Sequence, residues 1–147
     1  MLNAVIIYGA SGSGKSRQAE AHLNHNARCY WVERDNIRFN LMNLGDWTTY
    51  KPNQSTENIV DFFWKHMIAK AWEDNMDLVI SDTLCKISDR RKLHKLLTFL
   101  GFSVSFVRMD TALEDCIEQD SKRKGFCVGA EIIKNQYKHL IENSEHI

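Results

Sequence analysis

The sequence predicts an α/β fold in which a four-stranded parallel sheet carries helices on both faces, within a single domain that spans residues 1–147. Two observations lead to this prediction. Short apolar, strand-like runs alternate with segments of helical periodicity, and the first run ends in the glycine-rich stretch "GASGSGKS". Because parallel strands need long crossover connections, this alternation favours helices packed against both faces of one sheet.

Four short apolar runs predict the strands: "NAVIIYGA", "ARCYWVERD", "DLVISDT" and "FSVSFVRMD". Helices are predicted between and after them, in "GKSRQAEAHLNH", "DNIRFNLMNL", "ENIVDFFWKHMIAKAWED", "SDRRKLHKLLTFLG", "ALEDCIEQDSKRKG" and "GAEIIKNQYKHLIEN". The second helix has Asp35 or Asn36 as its expected N-cap. In the third, helical spacing predicts a buried face of Ile59, Phe63, Met67 and Ala71. The core is expected to contain Phe62, Phe63, Trp64 and Trp72.

The composition limits the choice of partners and compartment. Lys+Arg and Asp+Glu number 19 each, so the net charge is zero and the overall field does not steer the chain onto nucleic acid. The four cysteines form no Cys-x-x-Cys pair, which argues against a zinc ribbon or a redox motif. No signal segment precedes the first strand, and no apolar run approaches the ~20 residues of a membrane span. We therefore expect a cytoplasmic protein with free thiols and no membrane partner.

The stretch "GASGSGKS" matches the complete P-loop pattern between a strand and a helix. Its glycines let backbone amides converge on phosphate oxygens, and the start of the next helix adds partial positive charge. Lys15 is expected to reach the β- and γ-phosphates and Ser16 to place its hydroxyl on magnesium. The predicted nucleotide-binding residues are Gly9, Ser11, Gly12, Ser13, Gly14, Lys15 and Ser16.

Carboxylates follow two other predicted strands. Asp82 ends the strand "DLVISD", where an acid can help Ser16 to hold magnesium through water; an ordinary polar strand end is the alternative. Asp35, in "ERDNIR", is positioned to accept a proton from an acceptor hydroxyl, and Arg38 one helical turn later can bind an anionic group of that acceptor. Helix capping by Asp35, with Arg38 in solvent, is the alternative here.

The turn "DSKRKG" places Lys122, Arg123 and Lys124 between two helices. A run of charges is usually a solvated surface. After the fourth strand of a P-loop kinase, however, a basic turn closes over the donor, so a lid is predicted around residues 119–128. An arginine in it would neutralise charge on the transferred phosphoryl group.

Together, "GASGSGKS", "ERDNIR", "LVISDT" and "DSKRKG" resemble, in order and spacing, the kinase domain of the phage polynucleotide 5′-kinase/3′-phosphatase family, over nearly the whole chain. The resemblance implies a P-loop kinase that uses ATP and Mg²⁺ and acts on a nucleic acid end with a 5′-hydroxyl. It implies Lys15, Asp35 and Arg123 as catalytic residues, with Asp35 as general base. It also implies Arg38 on the acceptor's phosphate, Asp82 and Thr83 on the acceptor side with Asp82 orienting Arg38, and Val128 beside the donor base.

The sequence departs from that family in three ways. The phosphatase domain is absent from these 147 residues, and Gln119 stands where the family's lid has a further arginine. A lysine-rich stretch of the family is replaced by "GDWTTYKPNQSTEN", residues 45–58, in which Trp47 and Tyr50 could stack on bases at the acceptor entrance.

Two other functions stay open. One is a kinase for a nucleoside, a nucleotide or a modified base; the phosphate-binding potential of Arg38 favours an acceptor that carries phosphate. The other is a switch or binding module that hydrolyses nucleotide without an acceptor. The sequence has no Asn-Lys-x-Asp-like guanine signature, and Asp35 lies where an acceptor hydroxyl would bind.

Overall fold

The computed structural model describes residues 1–41, 53–123 and 126–147. The strands in these ranges are β1 (Asn3–Tyr8), β2 (Cys29–Val32), β3 (Asp77–Asp82) and β4 (Ser103–Arg108). The helices are α1 (Lys15–His25), α2 (Arg34–Leu41), α3 (Gln54–Glu73), α4 (Ile87–Leu100), α5 (Leu113–Ser121) and α6 (Ala130–Glu142). The expectations for Trp47, Tyr50 and Lys124 lie outside the described residues.

The four strands form one parallel sheet in the order β2-β3-β1-β4, which confirms the predicted fold class. Strand β1 lies between β3 and β4, and its last residue, Tyr8, pairs with Asp82 on one side and Arg108 on the other. The loops that leave β1 and β3 therefore begin side by side at the carboxyl edge of the sheet, where ligands bind in folds of this type.

Apolar side chains cover both faces of the sheet. Ile6 and Ile80 belong to the cluster that packs under α3 and α4, whereas Ile7 and Val79 pack with Ala19 of α1 on the opposite face. The strands are consequently apolar along their length, as in parallel sheets that are buried on both sides. All four cysteines are free thiols. Within the described ranges, no helix is long and apolar enough to cross a membrane.

The buried face of α3 differs from the prediction. Its buried residues are Val60, Trp64, Ile68 and Ala71, which confirms Trp64 and Ala71, whereas Ile59 of the predicted face is 46% exposed. Of the residues expected in the core, Phe62 is 65% exposed, Phe63 40% and Trp72 41%. Neighbouring residues on a helix point about 100° apart, and α3 has apolar side chains on both candidate faces. Its contact with the sheet, rather than its spacing, selects the face that begins at Val60.

The start of α2 also differs. The helix begins at Arg34, so Asp35 lies in its first turn rather than at its N-cap. The amide of Arg34 donates to Asp82 Oδ1 at 2.9 Å, which means that a carboxylate from the neighbouring strand satisfies this helix end. Helix α3 begins at Gln54, three residues before the predicted start, because the Asn53 side chain accepts a hydrogen bond from the amide of Thr56.

Candidate active site

The phosphate loop connects the end of β1 directly to the first residue of α1. Gly12 and Gly14 have φ values of 80° and 92°, which L side chains rarely adopt. A Cβ at Gly12 would also collide with the main-chain carbonyl of Cys116 in α5. The backbone conformation of the loop therefore requires both glycines, and the close packing against α5 is a second requirement at Gly12.

The side chain of Lys15 is buried beneath this loop. Its Nζ donates to the carbonyls of Gly9 at 3.0 Å and Ala10 at 2.9 Å, and burial lowers its pKa. Ser13 Oγ is a buried side-chain oxygen with no hydrogen-bond partner among the described residues. An ammonium group and an unsatisfied hydroxyl in a glycine loop are a suitable donor set for phosphate oxygens.

Ser16, in the first turn of α1, donates from Oγ to Glu33 Oε1 at 2.7 Å. Glu33 follows β2 directly and is 8% exposed; its other oxygen, Oε2, accepts from Asn36 at 3.2 Å. Burial, with a further contribution from the nearby Asp35 charge, raises the pKa of Glu33 to about 7 despite the Ser16 hydrogen bond. The acid expected to act with Ser16 was Asp82, but the carboxylate that contacts the Ser16 hydroxyl is Glu33.

Asp35 and Arg38 are paired on α2. Arg38 Nη1 donates to Asp35 Oδ1 at 2.8 Å, and Arg38 also makes a bidentate contact with Glu57 of α3, at 2.9 Å and 2.7 Å. Burial lowers the pKa of Arg38, but the hydrogen bond to Glu57 and the charge of Asp35 outweigh it and raise the pKa above its ordinary value. The guanidinium is therefore held in the bidentate geometry with which arginine binds a planar oxyanion such as a carboxylate or phosphate.

Asp82 does not contact Arg38 as the resemblance implied. Its Oδ1 accepts from the Arg34 amide, and its Oδ2 accepts from Trp64 Nε1 at 2.9 Å. Burial raises the pKa of this carboxyl, which the hydrogen bonds partly oppose. In this structure Asp82 joins β3 to the start of α2 and to α3, and Arg38 is instead oriented by Asp35 and Glu57.

Arg123 follows α5, and its Nε lies 3.9 Å from Asp120 Oδ1. Asp120 is buried, and its two oxygens accept the amides of Val128 at 3.2 Å and Gly129 at 3.1 Å. The side chain of Val128 packs against the apolar cluster formed by α5, α6 and the end of β1. The Asp120 side chain thus contacts Arg123 as well as the amides of residues 128 and 129.

These groups line one cavity of about 500 Å³ at the carboxyl edge of the sheet. The predicted site residues in its lining are Ser11, Gly12, Ser13, Gly14, Lys15, Ser16, Asp35, Arg38, Asp82, Thr83 and Arg123. Of the other two, Gly9 donates its amide to the Thr83 carbonyl beneath the loop, and Val128 lies in the apolar cluster. Gln119, which lies in the predicted lid, also lines the cavity.

The sequence analysis missed three residues that shape the site. Glu33 had a readable signal, because it directly precedes Arg34 and Asp35 at the carboxyl end of β2. Glu57 binds Arg38 across 19 residues, and Gln136 Oε1 accepts the Ser11 amide across 125. No local sequence pattern predicts either contact, because each depends on how distant helices pack.

A phosphate loop between the first strand and helix of a parallel sheet, facing a carboxylate and guanidinium groups, defines the class of P-loop kinase folds. The solved structures agree. The chain superposes on a chain from the Pnkp1/Rnl/Hen1 RNA repair complex with a TM-score of 0.77, at 21% identity over 99% of this chain. It superposes on a gluconokinase from Sinorhizobium meliloti 1021 with a TM-score of 0.56, at 20% identity, covering 94% of this chain and 74% of that one.

A third similar structure is the Mycobacterium tuberculosis APS kinase CysC in complex with AMPPNP and APS, with a TM-score of 0.58 and 25% identity over 82% of this chain and 69% of that one. The model of the AAA domain family (AAA_33) matches residues 5–140, and the chain belongs to that family. The chain spans 46% of the RNA-repair chain that it matches.

Proposed function

We propose that this chain is a cytoplasmic kinase that transfers the γ-phosphate of ATP to the 5′-hydroxyl end of DNA or RNA. The observation that supports this proposal is the single cavity in which the phosphate loop faces both Asp35 and Arg38. A donor site alone would serve many reactions. A carboxylate with an adjacent anion-binding guanidinium suits an acceptor that presents a hydroxyl next to a phosphate.

In the proposed reaction, the acceptor hydroxyl oxygen bonds to the γ-phosphorus while the bond to the β–γ bridging oxygen breaks, and ADP leaves. Asp35 accepts the hydroxyl proton. Lys15 and Arg123 stabilise the charge on the phosphoryl oxygens. The acceptor's phosphate displaces the Glu57 carboxylate and binds the guanidinium of Arg38 in its place.

The residues present fit a magnesium ion, because Ser16, Asp82 and Glu33 all offer oxygen atoms. Ser16 would bind it directly, and Asp82 would bind it through water. Because Ser16 gives its hydrogen to Glu33, the lone pairs of the Ser16 oxygen stay available for a cation. No group of three or more His, Cys, Asp or Glu residues that could hold a metal occurs in the described part of the chain, so phosphate oxygens and water would complete the shell. Bound Mg²⁺ would neutralise charge on the β- and γ-phosphates.

The test is a panel of acceptors incubated with γ-labelled ATP: 5′-hydroxyl oligodeoxynucleotide, 5′-hydroxyl oligoribonucleotide, nucleoside 3′-monophosphate, nucleoside, gluconate and no acceptor. The proposal expects label in a phosphatase-sensitive 5′-phosphate of an oligonucleotide. Transfer to a nucleoside or gluconate alone would contradict it in favour of a small-molecule kinase. Hydrolysis that no acceptor accelerates would indicate a switch or binding module.

A further inference from the structure

A second and larger cavity, of about 700 Å³, opens beside the active site. Arg34, Asp82 and Thr83 line both cavities, so the second continues directly from the acceptor side of the first. Its walls come from α3, α4, α6 and the loop between β3 and α4. Its volume is in the range of small-molecule sites. The phosphate loop and Asp35 do not line it, so the transfer chemistry described above leaves it without a role.

The loop that forms its inner wall is held in an unusual conformation. Leu84 has a φ of 40°, a left-handed conformation that non-glycine residues adopt rarely and chiefly at functional positions. The guanidinium of Arg90, which is fully buried, donates to the carbonyls of Leu84 at 2.7 Å and Cys85 at 2.9 Å. The same guanidinium donates to the carbonyls of Glu145 and His146. The wall is therefore preformed and does not depend on a ligand for its shape.

The lining combines an apolar surface with cationic groups. The apolar wall consists of Leu84, Leu93 and Leu96, and Trp64 also lines the cavity. Lys86 and Lys92 are exposed at the rim and have no ion-pair partner within 4.0 Å in the described ranges.

The acidic groups of the lining are Asp61, Asp82 and Asp89. Asp61 is paired with Arg34 and Lys65, and Asp82 with the Arg34 amide and Trp64. Among the lining carboxylates in the described ranges, only Asp89 has no such partner. It is therefore the one negative charge that offsets the two positive charges of Lys86 and Lys92. The rim stays positive in a chain of zero net charge, so it attracts anions locally.

We propose that this cavity binds the second nucleotide of the acceptor strand, with its base on the leucine wall and the phosphodiester on its 3′ side at Lys86 and Lys92. This inference rests on the proposed function and makes it more specific. A strand whose terminal hydroxyl lies at Asp35 reaches the cavity by passing Arg34 and Thr83, which border both spaces. A free nucleoside or a sugar would leave the cavity empty. The enzyme therefore prefers acceptors of two or more nucleotides.

The test compares kcat/KM for a nucleoside 3′-monophosphate with kcat/KM for 5′-hydroxyl di- and trinucleotides. The variants are the wild type, the double variant Lys86→Ala/Lys92→Ala and the control Lys95→Ala, an exposed lysine of α4 that does not line the cavity. For the wild type we expect a higher kcat/KM with the dinucleotide than with the monophosphate. In the double variant the preference for the trinucleotide over the monophosphate falls roughly 5- to 20-fold, because only the trinucleotide carries the phosphodiester that the two exposed lysines contact. The control keeps the preference.

A second measurement separates charge contacts from a structural effect. The salt dependence of binding, followed by the anisotropy of a 3′-labelled trinucleotide, becomes shallower in the double variant, by about 0.7 in the log–log slope for the one phosphate contact that is lost. Equal kcat/KM values for mono- and dinucleotide in the wild type, or the same loss on the monophosphate and the trinucleotide in the double variant, would overturn the inference and leave the proposed function standing. If no 5′-hydroxyl nucleic acid accepts label, the proposed function fails and this inference fails with it.

Discussion

The phosphate loop and the Asp35–Arg38 pair line the same cavity, yet different kinds of contact hold them in place. Lys15 donates to carbonyls five and six residues earlier in the chain, within its own loop. Arg38 depends on Glu57, which comes from another helix and lies 19 residues away. The helix that carries Asp35 and Arg38 is itself capped by Asp82 from β3. The donor lysine is thus held within its own loop, whereas the acceptor arginine is held by a residue of another helix.

This difference suggests which half varies more readily. The contacts of Lys15 with its own loop do not involve distant elements, although α5 and α6 also touch that loop. A site assembled from α2, α3 and β3 changes with the packing of any of the three. A gluconokinase and an APS kinase share this fold, and their names state different acceptors. The following three predictions test the contrast, from the largest effect to the smallest.

Replacing Lys15 tests the donor half. Lys15→Ala removes the buried ammonium, so we expect a loss of about 10³-fold in kcat/KM together with weaker ATP binding. Transfer assays and calorimetric titration with ATP measure the two effects. Lys134→Ala, on the exposed face of α6, is the matched control. If transfer by Lys15→Ala stayed within tenfold of the wild type, Lys15 would not be a phosphate ligand.

Replacing Asp35 tests the acceptor half on its own. Asp35→Asn removes the proton acceptor but keeps the side-chain shape, so we expect transfer to fall about 10²-fold while ATP affinity stays within a few-fold. The control is Asp115→Asn, an exposed acid of α5 that does not line the cavity. Unchanged nucleotide turnover in Asp35→Asn would favour the hydrolysing switch over the kinase.

Glu33 lies where the two halves meet, and its titration reports on that contact. Because its pKa in the folded protein is about 7 and its ordinary value is 4.5, the folded state binds the proton more tightly than the unfolded state. Its contribution to stability is therefore fully present below about pH 4.5 and is lost as the pH rises through 7. Glu33→Gln does not titrate. We thus expect its free energy of unfolding, relative to wild type, to rise by on the order of 2 kcal/mol between pH 5 and pH 8.

Urea denaturation in the presence of EDTA measures this difference without bound metal. Glu20→Gln, which replaces an exposed acid on α1, is the control and should show no such pH dependence. If the difference between Glu33→Gln and wild type were the same at both pH values, Glu33 would titrate like an exposed acid.

The contrast between the two halves also explains what the sequence could predict. The phosphate loop was predictable because a strand, a glycine pattern and a helix are contiguous there. Asp35 and Arg38 were found because they follow a strand, but their partner Glu57 was not, since no local pattern links α2 to α3. The predicted face of α3 was wrong because apolar side chains occupy both of its candidate faces. Only its contact with the sheet selects the stripe that begins at Val60.

Arg90 has a consequence for how the end of the chain can be altered. Its guanidinium is fully buried against the ring of Tyr8, and two of its hydrogen bonds end on the carbonyls of Glu145 and His146. Main-chain acceptors do not depend on side-chain identity, so the exposed Glu145 tolerates substitution. Removing residues 145 and 146 would instead leave a buried cation short of two acceptors. For protein engineering, position 145 accepts new side chains, whereas position 146 does not, because the His146 ring bonds the Tyr8 hydroxyl and stacks on Phe106.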